Sequence, residues 1–479
     1  MKLKNIKLSN PYLKLPELCY DKVKPTPLKK PFLIHFNRKM AEELDLELED
    51  ETLEFVNGAL ALEGSDTFAM CYAGHQFGHF VPRLGDGRAI NIGTLQDTNG
   101  INLHMQLKGA GQTLYSRSGD GRAVLRSSIR EYLMSEAMHG LGIETTRALA
   151  IIGSEHQVYR EDWENASIVL RVSPSWVRFG TFEYFAHSKN FKELEALADY
   201  AINESYPHLN DEKDKYYHFF TEVMGKTAQL MATWQSVGFN HGVMNTDNMS
   251  IHGLTIDYGP YAFLDDYDTG FICNHTDQNG RYSFGNQPRI GEWNLRALAL
   301  ALSPLVKQER LDKIIEHYGR IYSRHFLYLM GRKLGLDQVT DDDFELMKHM
   351  FGMLQTLSVD YTLFFRTLSR YNGEREVLLK FGMYHQPMNE WLDDYDKRLE
   401  KNGSKTKERH ESMLKTNPKF VLKNYMLQEA IEFAEKGDNS LVEVLFNIAQ
   451  TPYDEHTVFE RWAGKTPDVF KNQKLSCSS

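Results

Sequence analysis

Residues 241–259, HGVMNTDNMSIHGLTIDYG, decide the fold. Two short apolar-alternating runs, 249–251 and 254–256, flank His252-Gly253, and glycine supplies the positive φ that a two-residue hairpin loop demands. The pattern predicts a tight hairpin pairing Ile251 with Leu254, Ser250 with Thr255, Met249 with Ile256 and Asn248 with Asp257. Facing Cβ atoms in such pairs lie roughly 4.5 to 5.5 Å apart. At that separation an amide oxygen and a carboxylate share one hard divalent cation, which completes its shell with water and substrate phosphates. The stretch reads as a clip for metal plus nucleotide.

Upstream, 216–237 is a long helical pattern running straight into the clip. Beyond Trp293 nearly everything reads as helix, including 295–302, 311–334, 341–357 and 421–436. The half before residue 211 is mixed. Its clearest strand is 102–108, NLHMQLK, with Leu103, Met105 and Leu107 on one face and His104, Gln106 and Lys108 on the other. A Gly-rich loop follows, then a helix over 123–139 on which Ser128, Glu131 and Ser135 form a narrow polar stripe. A buried carboxylate on that stripe needs a cation, because an unpaired one is costly. Lys108 is the natural partner. A strand lysine fixed by a helix glutamate is the device kinases use to hold phosphates; the competing reading is an ordinary surface ion pair.

A second strand pair is expected over 145–152 and 166–172. The latter carries Arg171 near its end, and Arg178 follows at the start of a helix. Two guanidiniums there suit bidentate phosphate recognition or are solvated arginines at a connection between lobes. Residues 74–93, GHQFGHFVPRLGDGRAINIG, place glycines around the strand-like 88–92, either as a phosphate cradle or as plain turn glycines. His75 and His79 stand at helical i, i+4 spacing, without the glutamate that a zinc-protease helix places between them. Residues 1 to about 65 carry five prolines and short helical patterns at 37–44 and 50–62, and read as a wrapping segment. The acidic cluster Asp265, Asp266 and Asp268 reads as a solvated loop rather than a second metal site.

The chain has 479 residues, 42% hydrophobic and 25% charged, enough to bury a large core. A formal charge of −10 argues against a sequence-independent grip on nucleic acid. No leader-like segment opens the chain, and the most apolar run, 295–306, is too short for a bilayer, so the expectation is a cytoplasmic protein without membrane or nucleic-acid partners. Four scattered cysteines form neither a zinc site nor a disulfide framework.

A protein-kinase catalytic loop reads H-R-D-x-x-x-x-N and is followed by a metal-binding D-F-G. Laid on 241–248, that pattern keeps His241 and Asn248 and puts Gly242 at the Arg and Val243 at the Asp, while Asp257-Tyr258-Gly259 stands for D-F-G. Val243 cannot accept a proton, so ordinary phosphorylation loses its base. The nearby carboxylate, Asp247, suggests attack on a different phosphorus.

With the blocks YAGHQFGHFVPRLGDGRA (72–89), QLKGAGQTLYSRSGDGRAVLRSSIREYL (106–133) and HGVMNTDNMSIHGLTIDYGP (241–260), the chain resembles the selenoprotein O (YdiU) family of kinase-like protein adenylyltransferases over nearly its whole length. The resemblance implies an α+β, two-lobed protein-kinase-like fold: a wrapping segment over 1–70, a small mixed N-lobe over 71–173, a C-lobe with the metal-binding hairpin over 174–285, and a helical extension over 286–479. It implies AMP transfer from ATP, bound in flipped orientation, to Ser, Thr or Tyr hydroxyls of proteins, with UTP an alternative donor and self-modification a further outcome. By the same resemblance Gly85, Gly87, Arg88, Asp120 and Gly121 contact nucleotide, and Lys108, held by Glu131, joins Arg171 and Arg178 on the phosphates. Asn248 and Asp257 bind Mg2+ or Mn2+, and Asp247 takes the proton. A phosphoryl-transferring kinase and a non-catalytic nucleotide-binding scaffold remain the other classes. Cys477 occupies the third-last position, where animal members carry selenocysteine; its pairing with Cys273 in a reversible disulfide stands against two unrelated thiols.

Overall fold

The structure, a computed structural model, describes residues 2–47 and 50–471. Its mixed half is one antiparallel sheet of eight strands: β1 (Tyr20–Lys22), β2 (Pro31–Phe36), β3 (Phe68–Met70), β4 (Ala89–Gln96), β5 (Asn102–Lys108), β6 (Ala123–Val124), β7 (Arg147–Tyr159) and β8 (Trp163–Ser173). The strand order is β1-β3-β4-β5-β8-β7-β2, with β6 on β8. β5 keeps the bounds that its alternation predicts, and Met105 and Leu107 enter an apolar layer with residues of β7 and β8. The residues of opposite parity, Gln106 and Lys108, therefore look out of the other face.

Both ends of the sheet come from the first 40 residues, β1 at one and β2 at the other. Neither strand is expected from a segment so interrupted by proline. The helical patterns there shorten to Arg38–Glu43 and Thr52–Val56.

α1 (Leu125–Gly140) packs on the face of the sheet that carries Lys108, in one core with Ile151 and Val169, and is buried along almost its whole length, Ser128, Glu131 and Ser135 included. After the sheet, α2 (Phe179–His187) and α3 (Lys215–Val237) lead into a body that includes α4 (Gln287–Leu302), α5 (Gln308–Ile315), α6 (Tyr318–Lys333), α7 (Asp343–Leu357), α8 (Asn424–Ala434) and α9 (Ser440–Gln450). α3 ends where Gly238 adopts left-handed φ (+73°) and its N–H returns to Trp234 O and Gln235 O. The single helix expected over 311–334 is two, α5 and α6; nothing at Glu316-His317 marks the break by residue type, so the periodicity ran through it. Among the described residues no helix is long and apolar enough to cross a membrane.

The hairpin expectation is corrected. Residues 249–251 and 254–256 do not pair with each other, because each run spends its backbone on a different neighbour. Phe179 N–H donates to Met249 O (2.9 Å) and Ile251 N–H to Val177 O (3.4 Å), making an antiparallel bridge between Arg178 and Ser250. Thr255 N–H donates to Glu144 O (2.9 Å) and Thr146 N–H to Thr255 O (3.1 Å), a parallel bridge. What joins the runs is a four-residue turn closed by Gly253 N–H on Ser250 O (3.2 Å), with Gly253 at φ +66°. A two-stranded pair does frame the region, but further out: Phe239–Asn240 against Ala262–Phe263, closing a wide loop. The proposed helical spacing of His75 and His79 also fails. They stand on opposite strands of a small ribbon, Gly74–Gln76 with His79–Val81, and His75 Nδ1 meets Glu183 Oε1 at 2.5 Å.

Candidate active site

The outward face of β5 is the floor of a cavity of about 680 Å3, roofed by the glycine loops and closed by residues 243–260. Register sets the floor. Lys108 lies between Ala89 and Val169, and Gln106 between Asn91 and Arg171, so Asn91, Gln106 and Arg171 make one polar row across β4, β5 and β8. Gln106 donates to Asn91 Oδ1 (3.4 Å) and accepts from Arg171. A shift in the β8–β7 register falls at Leu170/Arg171, the kind of irregularity that re-aims a side chain.

Three cations converge there on two carboxylates. Lys108 Nζ is 2.6 Å from Glu131 Oε2 and 3.7 Å from Asp257 Oδ1. Arg171 Nη1 bridges the same pair, 2.9 Å to Glu131 Oε1 and 2.6 Å to Asp257 Oδ1. Arg178 contacts Asp257 Oδ2, donates to Asp247 O (2.7 Å) and stands 3.9 Å from Asp86 Oδ1. The guanidiniums also lie over aromatic rings, Arg171 on Trp176 (4.6 Å) and Arg178 on Tyr72 (4.8 Å). Burial alone would raise Asp257 and Glu131. For Asp257 the fields of Arg178, Arg171 and Lys108 outweigh it and hold the acid well below the usual carboxylate range; Lys108 and Arg171 hold Glu131 below its ordinary value. The Lys108 amine is lowered, chiefly by burial.

The roof is built from two copies of Gly-Asp-Gly-Arg, at 85–88 and 119–122. In the first, Gly85 has φ +83° and a Cβ there would lie 2.3 Å from the Tyr115 ring. Asp86 is buried and accepts from Met70 N–H (3.0 Å), Asn91 (3.2 Å) and Gln106 (3.2 Å), which ties the loop to the polar row. In the second, Gly121 (φ +71°) approaches Gly111 so closely that a Cβ would sit 2.1 Å from its carbonyl. Asp120 is clamped by Arg160, both guanidinium nitrogens at 2.8 Å, which offsets a negative charge at the cavity rim.

The closing segment carries the remaining groups. His241 Nε2 donates to Ile256 O (2.9 Å) and its Nδ1 accepts from Val243 N–H (3.3 Å), so the histidine braces the loop rather than facing the cavity, and the Val243 side chain lines it. Asp257 has φ +57°, a left-handed conformation that costs a non-glycine residue of order 1 kcal/mol and is found at sites where geometry is over-determined. Asp247 is buried; Gln76 Nε2 reaches its Oδ2 at 3.5 Å and its Oδ1 has no partner. Burial pushes its pKa up to about 7 against the pull of Arg178.

Asn248 and Asp257, no longer cross-strand partners, nevertheless line the same cavity. Asn248 Nδ2 donates to Val243 O (3.0 Å), leaving the amide oxygen for a cation. Among the described residues no three His, Cys, Asp or Glu group as a metal cage. The oxygen-only pair Asn248 and Asp257, with the orphaned Asp247 Oδ1 nearby, instead fits a hard ion that takes most of its shell from phosphate and water.

Gly85, Gly87, Arg88, Lys108, Asp120, Gly121, Arg171, Arg178, Asp247, Asn248 and Asp257 all line this cavity, and Glu131 stands directly behind Lys108. Sequence reasoning overlooked Asp86, Gln106, Tyr72, Gln76, Asn245 and Arg160. The repeated Gly-Asp-Gly-Arg was the available signal for Asp86, and alternation already put Gln106 on the face of Lys108; nothing local marks the others, whose positions depend on long-range approach. Cys273 is buried with its Sγ 2.7 Å from Asn240 Oδ1, and its suggested partner Cys477 lies outside the described residues.

A family model described as protein adenylyltransferase SelO matches residues 2–450. The protein nucleotidyltransferase YdiU of Myxococcus xanthus is 46% identical over 485 residues, covering 100% of this chain and 99% of that protein. The protein of the same description from Thioalkalivibrio sulfidiphilus is 46% identical over 490 residues, covering 100% of both, and that of Aliivibrio salmonicida is 45% identical over 480, covering 99% of both.

Proposed function

From the premise that the chain belongs to the SelO family of protein adenylyltransferases, we propose that it moves AMP from ATP to Ser, Thr or Tyr hydroxyls of other proteins, in the cytoplasm, releasing pyrophosphate. The observation that carries this reading is the pairing of a cation-lined phosphate end with a displaced base. Lys108, Arg171 and Arg178 meet at Asp257, Val243 stands where a kinase has its proton acceptor, and Asp247 lies four residues on with one oxygen unpartnered. A two-lobed, kinase-like division at about residue 173 is supported by a sheet-bearing first half and a helical second half, with residues 20–70 counted in the first lobe rather than as a separate wrapping segment, since β1, β2 and β3 are strands of its sheet.

In the mechanism, Lys108, Arg171 and Arg178 neutralise the β- and γ-phosphates, having been aligned beforehand by Glu131 and Asp257 at no cost during the reaction. Gly85, Gly87, Arg88, Asp120 and Gly121 bound the rest of the nucleotide. The acceptor oxygen attacks the α-phosphorus, the bond from that phosphorus to the bridging oxygen breaks with its electron pair leaving on pyrophosphate, and the hydroxyl proton passes to Asp247. Asn248 and Asp257 would hold Mg2+ or Mn2+, which would supply further neutralisation of negative charge at the phosphates. Pyrophosphate is the favoured leaving group because the cations gather at its end of the nucleotide.

The test is incubation with Mg2+ and either α- or γ-labelled ATP, read by intact mass of the enzyme and of acceptor proteins. Retention of the α label as one AMP is expected, on substrate and to a lesser extent on the enzyme itself. Transfer of the γ label alone would make it a kinase, and no transfer a scaffold. Replacing ATP by UTP reads the choice of nucleotide.

A further inference from the structure

Beside the nucleotide cavity lies a second groove of about 770 Å3, and Phe77 lines both. Phe77 sits at the tip of the small ribbon in left-handed backbone (φ +51°). Its N–H donates to the Tyr282 hydroxyl (2.9 Å), which donates to Asn245 Oδ1 (2.8 Å), two residues before Asp247. The ring is tilted against Tyr282 at 5.1 Å. Phe77 is thus common to the groove and to the cavity that the proposed base lines.

The charge of the groove is opposite to that of the whole chain, which is formally −10. Arg281, Arg289 and Arg296 line it with Trp293. Of its two acids, Asp277 is buried and turned inward, accepting from Arg281 N–H (3.0 Å) and Tyr282 N–H (2.7 Å), and Glu292 is paired with Arg296 (2.7 Å). Arg281 and Arg289 have no carboxylate partner among the described residues. Arg281 lies over the Trp293 ring (4.6 Å), and its Nε is buried without a hydrogen-bond partner. Gly78 leaves room for it: a Cβ there would be 3.2 Å from the Arg281 guanidinium carbon. A guanidinium held over an aromatic ring, as Arg281 is, beside a second one without an internal anion, Arg289, is suited to carboxylates presented by a partner.

We propose that this groove docks an acidic segment of the substrate protein, a few residues from the acceptor hydroxyl, and so selects hydroxyls with Asp or Glu on one side. The role as a substrate groove rests on the nucleotidyl-transfer reading; the binding preference itself does not. Two fluorescent peptides of the same length, with alanine at the acceptor position and flanked by either glutamates or lysines, are titrated against the full-length chain by anisotropy. The acidic peptide is expected to bind about tenfold tighter at low salt, with the difference shrinking as salt rises. Arg289→Glu, a change at an exposed position, is expected to remove most of the preference, and Arg281→Glu with Arg289→Glu to invert it. Equal affinity for the two peptides, a preference that survives Arg289→Glu, or an RNA oligomer that binds tighter and with the same dependence on Arg289 would each overturn the proposal. Serine versions of the same peptides with α-labelled ATP separate the two readings. Absence of label on every peptide, with the binding preference intact, counts against nucleotidyl transfer and not against the acidic preference.

Discussion

Asp257 is the residue on which most of the electrostatics converge, and its environment predicts an unusual variant. Breaking one partner out of a buried ion network typically costs 3–5 kcal/mol, because the remaining charges lose their compensation. Asp257→Ala leaves Lys108, Arg171 and Arg178 facing one another, with Glu131 behind the first two and Asp86 at 3.9 Å from the third as the remaining carboxylates. Metal-dependent transfer is expected to vanish, yet metal-free ATP should still bind, its phosphates replacing the lost carboxylate; calorimetric titration with and without Mg2+ checks this. Asp247→Ala should behave differently, lowering kcat far more than nucleotide affinity, since its contact with the cationic cluster is through its backbone oxygen. Equal losses in both would refute its assignment as base. Far from the cavity, Lys333 is buried against Phe365 (4.3 Å) and Tyr361, and burial lowers its pKa to about 7. The folded state thus binds fewer protons than the unfolded one between about pH 7 and the ordinary lysine value. The stability this confers is full above that ordinary value and is lost as pH falls through about 7. Lys333→Met should flatten that rise and raise the melting temperature at neutral pH, as thermal melts across pH 6 to 10 will show.

At the scale of elements, what aims Asp247 is the small ribbon beside it. Gly74 has no side chain because a Cβ would lie 2.5 Å from Asp247 Oδ1, and on its other side Gly180 is pressed against Ala73 O. His75 N–H donates to Thr246 Oγ1 (2.7 Å), which locks the ribbon to the short helical turn that carries Asp247. Gly74→Ala is therefore expected to lower kcat by about tenfold or more by displacing the proposed base, with little change in ATP affinity. Comparable losses of affinity and turnover would show that the ribbon serves the nucleotide instead. The same region explains where sequence reading fell short. Residues 249–251 and 254–256 look like two hairpin strands, but a short run carries no mark of which neighbour will take its hydrogen bonds. Here α2's leading segment and residues 144–146 take them. β5 and α1, by contrast, have periods long enough to declare face as well as type, and the Lys108–Glu131 contact follows from them.

For the whole molecule, α1 is the link between cavity and helical body. Its Glu131 orients Lys108, while at its far end a Cβ on Gly140 would lie 2.0 Å from Ala449 O of α9. Gly140→Val should force the two helices apart, costing about 1–3 kcal/mol. Because α1 also holds Glu131, nucleotide affinity should fall along with the melting temperature, whereas a purely local defect would lower the melting temperature alone. Such coupling was out of reach of sequence, since α1 and α9 are about 300 residues apart and neither advertises the other.

Composition and periodicity by themselves determined the mixed first half and the helical second half and offered Lys108 and Glu131 as a pair, because each of these is written in spacings of a few residues; which further residues share the cavity was implied by the resemblance of three blocks to a known family. What came from the tertiary structure alone is that Asn248 and Asp257 line one cavity without a hairpin between them, that Asp86 and Gln106 tie the first glycine loop to Arg171, and that a cationic groove adjoins the cavity. Those depend on strand register and on segments brought together from far apart in the chain, and local spacing carries no record of either.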